Sequence, residues 1–465
     1  MEKQNASHSG RRNAPDLTSG SIIRKLLITA LPMIAAMMVE TGYNIVDTIF
    51  VGRLGPDAIA AVTLVFPVAF VMIALAGGIA TGTNALVARY IGAKKYEKAD
   101  NVAEHSILIA VILGAVLSLA GLLTIKPVFA LAGATGNVMA LVNEYVSVIY
   151  IGAPILLLGL MANGMIRGIG NTKMLMKAMI TGAVANTILD PVLIFYFGLG
   201  IKGAAIATVT SRIISAAYMY RYLLSKASPI KFSIKDFSFN TEVVKKLFVI
   251  GIPSSISQVS MALGWAFLAK IASLFGSSAI ATLGIGFRID SVAIMPLLGL
   301  GIATLTLVGQ NLGAGKSERA RQTSLASMGM ASSFVLLLSV IFYLFAPQIT
   351  RVFTSDVAVS DMATTYLRLI SPAYFFVALN IIVGFTILGT GNAVPQMILT
   401  LIRVVGLSAP LAYFLAVSFN LREFGLFSGI ALAYVLSGII SLAWFRRINW
   451  AETGRKASPR KMPAT

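Results

Sequence analysis

The chain has 465 residues, of which 57% are hydrophobic and only 12% are charged, and its mean hydropathy is +0.85. Soluble globular chains carry about 25% charged residues, so this composition excludes a water-soluble protein and predicts an integral membrane protein. The absence of cysteine and the presence of only two histidines exclude disulfides, thiol nucleophiles and a metal centre built from several histidines.

Twelve apolar segments, each long enough for a membrane-spanning helix, follow a polar tail at residues 1–21 that we expect to be exposed to water. They lie at about 22–50, 58–83, 103–124, 139–162, 173–196, 203–222, 246–272, 279–308, 323–346, 361–386, 395–417 and 425–445. None shows the alternation of a barrel strand, so we predict an all-α membrane protein with two pseudo-symmetric six-helix bundles. The predicted N-lobe is 22–222, the linker 223–245, the C-lobe 246–445 and the basic tail 446–465.

The two sets of six segments resemble each other. Pro32 and Pro253 lie 221 residues apart, and the run from Gly168 to Asn171 reappears at the same offset from Gly389 to Asn392. Matches in one order at one offset predict an internal duplication. Because each copy has an even number of spans, the repeats are parallel, which is one of the plans of secondary transporters.

The positive charges sort by side of the predicted membrane. With both termini on one side, 27 of the 37 Lys and Arg residues fall there and five fall on the other side. This distribution predicts a multi-pass protein of the inner (cytoplasmic) cell membrane with cytoplasmic N- and C-termini. The net charge of +19 therefore indicates topology and lipid contact, and we expect no nucleic-acid partner.

Carboxylates at membrane depth are the main functional candidates, because a charge there is costly and is kept where it has a use. Glu40, Tyr43 and Asp47 share one face of the first helix, and Asn186 and Asp190 are one turn apart on the fifth. At the 221-residue offset the two aspartates become leucines. We expect no basic side chain on these faces, so the pattern predicts a site that binds a cation, either H⁺ or Na⁺. The alternative is that the carboxylates are structural and are held by hydrogen bonds.

Other charged residues and two prolines complete the set of candidates. The second half carries Lys270, Arg288, Asp290, Arg368 and Arg403 in or near its spans. We expect Lys270 and Asp290 to form a structural ion pair. Pro191 frees the Thr187 carbonyl and Pro32 frees the Ile28 carbonyl, so both prolines predict kinks.

Several motifs together resemble the multidrug and toxic compound extrusion (MATE) family over about residues 26–445. They are Val39–Asp47 with Gly52 and Leu54-Gly55, Ala76–Gly78, Arg167–Asn171 and Asn186–Pro191. The chain is most similar to the prokaryotic branch named after the DNA-damage-inducible protein F. The other large bacterial branch has acids in its seventh and tenth helices, whereas here the seventh has Gln258 and the tenth has Asp361 only at its start.

The resemblance implies a fold and a function. It implies two six-helix lobes around a central cavity and export of cationic amphiphilic or aromatic drugs in exchange for H⁺ or Na⁺, without a cofactor. The implied cation site is Asp47, Asn186, Asp190 and Thr208. Tyr43 and Asn163 map near the cavity, where Glu40 is also expected to lie, and Pro32 maps onto a first-helix bend. We expect a monomer.

Three rival functions remain. A flippase for a lipid-linked precursor would need a basic cavity, whereas the first half is acidic inside. A membrane-embedded prenyl or phosphoryl transferase would need clustered acids or a catalytic His or Cys. A channel is disfavoured by the duplication and by the lack of a filter-like loop.

Overall fold

A computed structural model describes residues 14–233 and 237–457. The first part of the predicted N-terminal tail, residues 234–236 of the linker and the last eight residues lie outside the described residues. The described part of the chain is helical and contains no strand.

The helices follow one another with short connections, and we number them α1–α14. They are α1 Ile22–Gly52, α2 Pro56–Gly92, α3 Tyr96–Leu131, α4 Gly136–Ile169, α5 Thr172–Tyr196, α6 Gly200–Leu223, α7 Thr241–Ser273, α8 Ser277–Gly313, α9 Ser317–Leu344, α10 Ala346–Arg351, α11 Val357–Gly389, α12 Val394–Ser418, α13 Arg422–Arg446 and α14 Trp450–Ala457. The short helices α10 and α14 are additional to the twelve long ones.

Eleven of the helices in the described residues are long and apolar enough to cross a membrane. The twelfth, α6, has 24 residues, which span about 36 Å at 1.5 Å per residue, and its lower hydropathy reflects Lys202, Arg212 and Arg221. The prediction of an all-α membrane fold with twelve membrane-length helices is confirmed.

Local structure repeats between the two halves. Gly55 and Gly276 precede α2 and α8 with φ of 109° and 97°, a backbone conformation that side chains with a Cβ rarely adopt. These glycines are 221 residues apart, so a turn that requires glycine occurs at equivalent places in the two copies.

The described residues form two compact units. The first is built mainly from Leu31–Ser255, and the second from Thr18–Ala30 together with the chain from Ile256 onward. The division therefore runs through α1 and α7, next to Pro32 and Pro253, which occupy equivalent positions in the two repeats.

Within the first unit, the beginning of α7 packs closely on α2. A Cβ added to Gly78 would lie 2.4 Å from the carbonyl oxygen of Gly251, so only glycine permits this approach. The Ser255 hydroxyl donates to the Leu75 carbonyl at 3.0 Å and fixes the same contact.

The part of the N-terminal tail that the structure describes is not freely exposed, contrary to our expectation. Leu17 is only 3% exposed. In the second unit, Lys316 donates to the Thr18 carbonyl at 2.8 Å and Arg319 donates to the Ser19 carbonyl at 3.0 Å. Its polar composition predicted exposure to water, but hydrogen bonds from Lys316, just before α9, and Arg319, in the first turn of α9, to its backbone carbonyls hold this segment in place.

The linker is bound along the start of α3, and we call residues 230–233 and 237–240 the linker strap. Four side chains of α3 bind its backbone: Asp100 accepts from Lys231 N at 2.8 Å, Glu104 from Ser233 N at 3.0 Å and His105 Nε2 from Asn240 N at 2.9 Å, while Asn101 donates to Ser238 O at 2.9 Å. The buried His105 ring also packs between Phe237 and Phe239.

Candidate cation and substrate site

The structure brings Asp47 of α1 and Asp190 of α5 together. Their side chains contact each other inside the first unit, where Asp190 has no exposed surface and Asp47 is half-buried. No donor reaches the buried Asp47 Oδ1 or Asp190 Oδ2. Because ionised carboxylates only accept hydrogen bonds and repel each other, a proton or a cation between them is needed to make the contact favourable.

Amide groups add further oxygen ligands. Asn186 donates through Nδ2 to Asp190 Oδ1 at 3.3 Å, which leaves the buried Asn186 Oδ1 without a donor. The buried Oδ1 of Asn163, on α4, also lacks a donor, although no hydrogen bond joins Asn163 to the aspartates. Oxygen ligands of this kind suit H⁺ or a hard cation. The described residues contain no group of three or more acidic or histidine side chains that would hold a more highly charged metal.

Thr208 of α6 joins this cluster through a residue that the sequence analysis missed. Thr208 lies beside Tyr145 of α4, which is 9% exposed and interacts electrostatically with Asp47 and Asp190. A tyrosine in the apolar run of α4 was a weak signal, since helical spacing does not show which helix its hydroxyl faces.

Glu40 and Tyr43 face a cation, contrary to our expectation that none would lie on these faces. Arg212 of α6 forms an ion pair with Glu40 at 2.9 Å and also donates a hydrogen bond to the Tyr43 hydroxyl. Arg167 interacts electrostatically with Glu40 as well. The acidic stripe of α1 is therefore divided: the Glu40 end is neutralised, whereas the Asp47 end has no basic partner among the described residues.

A narrow pocket opens beside this ion pair, between α1, α5 and α6. Its lining residues are Glu40, Tyr43, Met179, Gly182, Ala183, Ser211, Arg212 and Ser215. Thr208 and Arg212 are one turn apart on α6, so the pocket and the aspartate pair are adjacent on the same helices.

The two prolines differ in their effect on the helices. The α-helical part of α5 ends at Pro191 and continues as a π-helical turn, Val192–Tyr196, immediately after Asp190. A comparable π turn, Phe414–Ser418, ends α12 in the second half. By contrast, α1 remains helical through Pro32, where the two units divide. Because the comparable turn follows Leu411, which is the residue equivalent to Asp190, the π turn is a feature of the repeat and does not by itself indicate a function for Asp190.

In the second half, the expected ion pair between Lys270 and Asp290 is absent from the described residues. Lys270 is exposed, whereas Asp290 is fully buried and accepts hydrogen bonds from Tyr366 and Tyr374. Lys270 and Asp290 do lie on neighbouring helices, α7 and α8, but the rotation of α8 about its axis directs Asp290 towards α11 instead of α7.

Comparison with known proteins agrees with this architecture. The model of the MatE family matches the chain twice, at residues 32–192 and 253–414. The two matches begin 221 residues apart, which is the offset of the repeated motifs. Both acids of the aspartate pair lie in the first match.

Individual relatives are similar over most of the chain. The chain is 30% identical to the FAD transporter of Shewanella oneidensis, over 85% of this chain and 88% of that protein. It is 28% identical to the multidrug export protein MepA of Staphylococcus aureus, over 75% and 77%. A solved outward-facing structure of a multidrug resistance MATE family transporter of the MOP superfamily matches with a TM-score of 0.90 and 30% identity, covering 96% of this chain and 99% of that one.

Proposed function

The chain belongs to the MATE family of transporters, and on that premise we propose that it is a cation-coupled antiporter that exports organic compounds by alternating access. The observation that supports this proposal most strongly is the contact between two membrane-embedded carboxylates, each of which has one buried oxygen without a donor. Such a pair binds a single positive charge, which is the property that an exchanger needs.

The proposed cycle uses differential affinity. In the outward-facing state Asp47 and Asp190 take up H⁺ or Na⁺, α1 bends near Pro32, and the affinity of the cavity for substrate falls. The cation then leaves inward, and the inward-facing cavity binds new substrate. A ligand shifts two states only as far as its affinity for them differs, so cation and substrate must favour opposite states. Asn186 and Thr208 complete the proposed cation site.

Replacement of Asp47 is the direct test of coupling. Asp47→Asn keeps the shape of the side chain but removes its charge, so gradient-driven dye uptake into everted vesicles should fall to background. Asp57→Asn is the matched control, because Asp57 lies in the first turn of α2 and accepts a hydrogen bond from Asn137 away from the pair. Full uptake by Asp47→Asn would contradict the proposal. Proton and sodium gradients imposed separately on wild-type liposomes would identify the coupling ion.

The chemistry of the substrate has two candidates. Cationic amphiphiles and drugs fit the carboxylates of the first unit and the similarity to MepA. Anionic aromatic compounds are favoured by a specific observation, since Arg212 neutralises Glu40 at the pocket and one relative is a FAD transporter. Arg and Glu side chains at this pocket select charge through the field that they create.

Transport by an Arg212→Gln variant separates the two candidates. If the substrate is a cation, ethidium transport should persist or increase, because Glu40 is then unpaired. If it is an anion, FAD transport should occur in the wild type and decrease in the variant. Because Arg212 and Glu40 are 38% and 36% exposed, we expect an effect of about 1 kcal/mol or less, which is at most about fivefold in affinity.

We also propose that the protein is a monomer in the cytoplasmic membrane with both termini inside the cell. The absence of cysteine makes the topology straightforward to test, because a single cysteine placed at Lys202 or Lys173 would be the only reactive thiol. An impermeant reagent applied to whole cells should label the cysteine at 202 and not the one at 173. The reverse pattern would invert the topology.

A further inference from the structure

The second unit contains a buried carboxylate that the proposed cation site does not use. Asp290 of α8 has no exposed surface. Two tyrosines of α11, each 1% exposed, donate to its oxygens: Tyr366 donates to Oδ2 at 2.7 Å, and Tyr374 donates to Oδ1. Among the residues that the structure describes, no lysine or arginine nitrogen lies within 4.0 Å of either oxygen.

The wider surroundings of Asp290 contain one phenol and one more distant cation. Tyr434 of α13 interacts electrostatically with both Asp290 and Arg403 of α12. The buried Nε of Arg403 lacks an acceptor. Helix α9 also packs on α8, and it presents the Phe342 ring to Tyr374 but no charged group to Asp290. The closest groups around Asp290 are therefore neutral hydroxyls.

Two neutral donors do not fully compensate a buried charge. A carboxylate that is buried without a cation loses its solvation by water, and hydrogen bonds from two neutral hydroxyls restore only part of that solvation. The protonated acid avoids that cost, but its new O–H group needs an acceptor. The nearest acceptors are the oxygens of Tyr366 and Tyr374, so protonation must reverse or break one of these two hydrogen bonds.

The two tyrosines lie on opposite sides of a break in α11. A 3₁₀ turn, Ser371–Ala373, separates the segment that carries Tyr366 from the segment that carries Tyr374. Gly286 allows the Tyr366 ring to lie against α8, because a Cβ there would be 2.4 Å from Tyr366 Cε1. Asp290 therefore ties both segments of α11 to α8, and the loss of one hydrogen bond releases one segment.

A pocket lies on another face of α8 in the second unit. It has a volume of about 560 Å³, and its lining includes Gly284, Ile285 and Arg288 of α8. Arg288 and Asp290 are two residues apart and therefore point to different sides of the helix, so this pocket does not reach the buried carboxylate.

We propose that Asp290 is a second proton-binding site, in which uptake of a proton reverses or breaks one of the two hydrogen bonds that join α11 to α8. A hydronium ion gives up a proton, an O–H bond forms on an Asp290 oxygen, and a water molecule remains. The use of this site in transport rests on the proposed antiport, but the protonation itself does not.

Infrared difference spectroscopy on the full-length protein in lipid tests the proposal without any substrate. Spectra recorded between alkaline and acidic pH should contain a carboxylic-acid carbonyl band from Asp290. The band should persist in an Asp47→Asn/Asp190→Asn double variant, disappear in Asp290→Asn and shift without loss in Asp290→Glu. Tyr366→Phe and Tyr374→Phe should each shift its frequency, because the carbonyl loses a hydrogen-bond partner.

The outcomes separate this proposal from the proposed function. A band that Asp290→Asn leaves unchanged, or no Asp290 band at any pH at which the protein stays folded, would overturn it even if Asp47 drives transport. Conversely, the Asp290 band can be present while Asp47→Asn transports normally, and then only the antiport proposal fails. The Asp290→Glu and tyrosine variants keep the test decisive if Asp290→Asn folds poorly.

Discussion

The two acidic clusters, Asp47–Asp190 in the first unit and Asp290 in the second, differ in the hydrogen bonds that their carboxylate oxygens accept. Each carboxylate of the aspartate pair has one buried oxygen that lacks a hydrogen-bond donor, whereas both Asp290 oxygens receive a tyrosine hydroxyl. All three acids lie in helices of membrane-spanning length. We infer from this difference that carboxylates with oxygens left without donors are suited to bind a cation, whereas a carboxylate with both oxygens satisfied is suited to join two helices.

The largest expected effect on stability distinguishes these clusters. Asp290→Asn should lower the free energy of unfolding by about 3 kcal/mol, because its amide cannot accept both hydroxyls and one buried donor loses its partner. Asp190→Asn should cause no loss, since its new amide can donate to the Asp47 carboxylate. Thermal unfolding in detergent measures both. Equal destabilisation by the two variants would remove the distinction between the clusters.

A smaller effect is expected from the glycine that admits Tyr366. Gly286→Ala adds a Cβ 2.4 Å from the ring, so Tyr366 must move and the free energy of unfolding should fall by about 2 kcal/mol. Gly284→Ala is the matched control on the same helix, because a Cβ there meets nothing within 4 Å. If both variants unfold at the same temperature, the close packing around Asp290 is not important for stability.

The smallest effect should occur away from both clusters, at the linker strap. His105→Ala removes the acceptor of the Asn240 amide, which is worth about 1 kcal/mol, and should speed hydrogen exchange in residues 237–240. Exchange in the helices that carry Asp47 and Asp290 should not change. Faster exchange at either acid would show that the strap is coupled to the clusters. A comparison of the two clusters would then have to include the strap.

Helical periodicity and duplication predicted much of this arrangement. The spacing of Asn186 and Asp190 placed them on one face, and the structure shows their hydrogen bond. The 221-residue offset recurs in the paired turns at Gly55 and Gly276. These inferences depend on geometry within one helix or on one repeat, both of which the order of residues determines directly.

Contacts between helices could not be predicted in the same way. Glu40 and Arg212 are 172 residues apart, and nothing in either helix alone indicates that they pair. Asp290 was assigned to Lys270 because their helices are neighbours, yet it binds two tyrosines of α11. The rotation of each helix about its axis decides such contacts, and weakly amphipathic membrane helices leave little pattern from which to infer it.

Cation binding by the purified protein tests the central claim most directly. We would measure proton uptake on acidification and ²²Na⁺ binding for the wild type, Asp57→Asn and the Asp47→Asn/Asp190→Asn double variant. The account predicts that the wild type and Asp57→Asn each bind one cation, H⁺ or Na⁺, that the double variant does not bind. Equal cation binding by all three proteins would contradict the assignment of the site to Asp47 and Asp190.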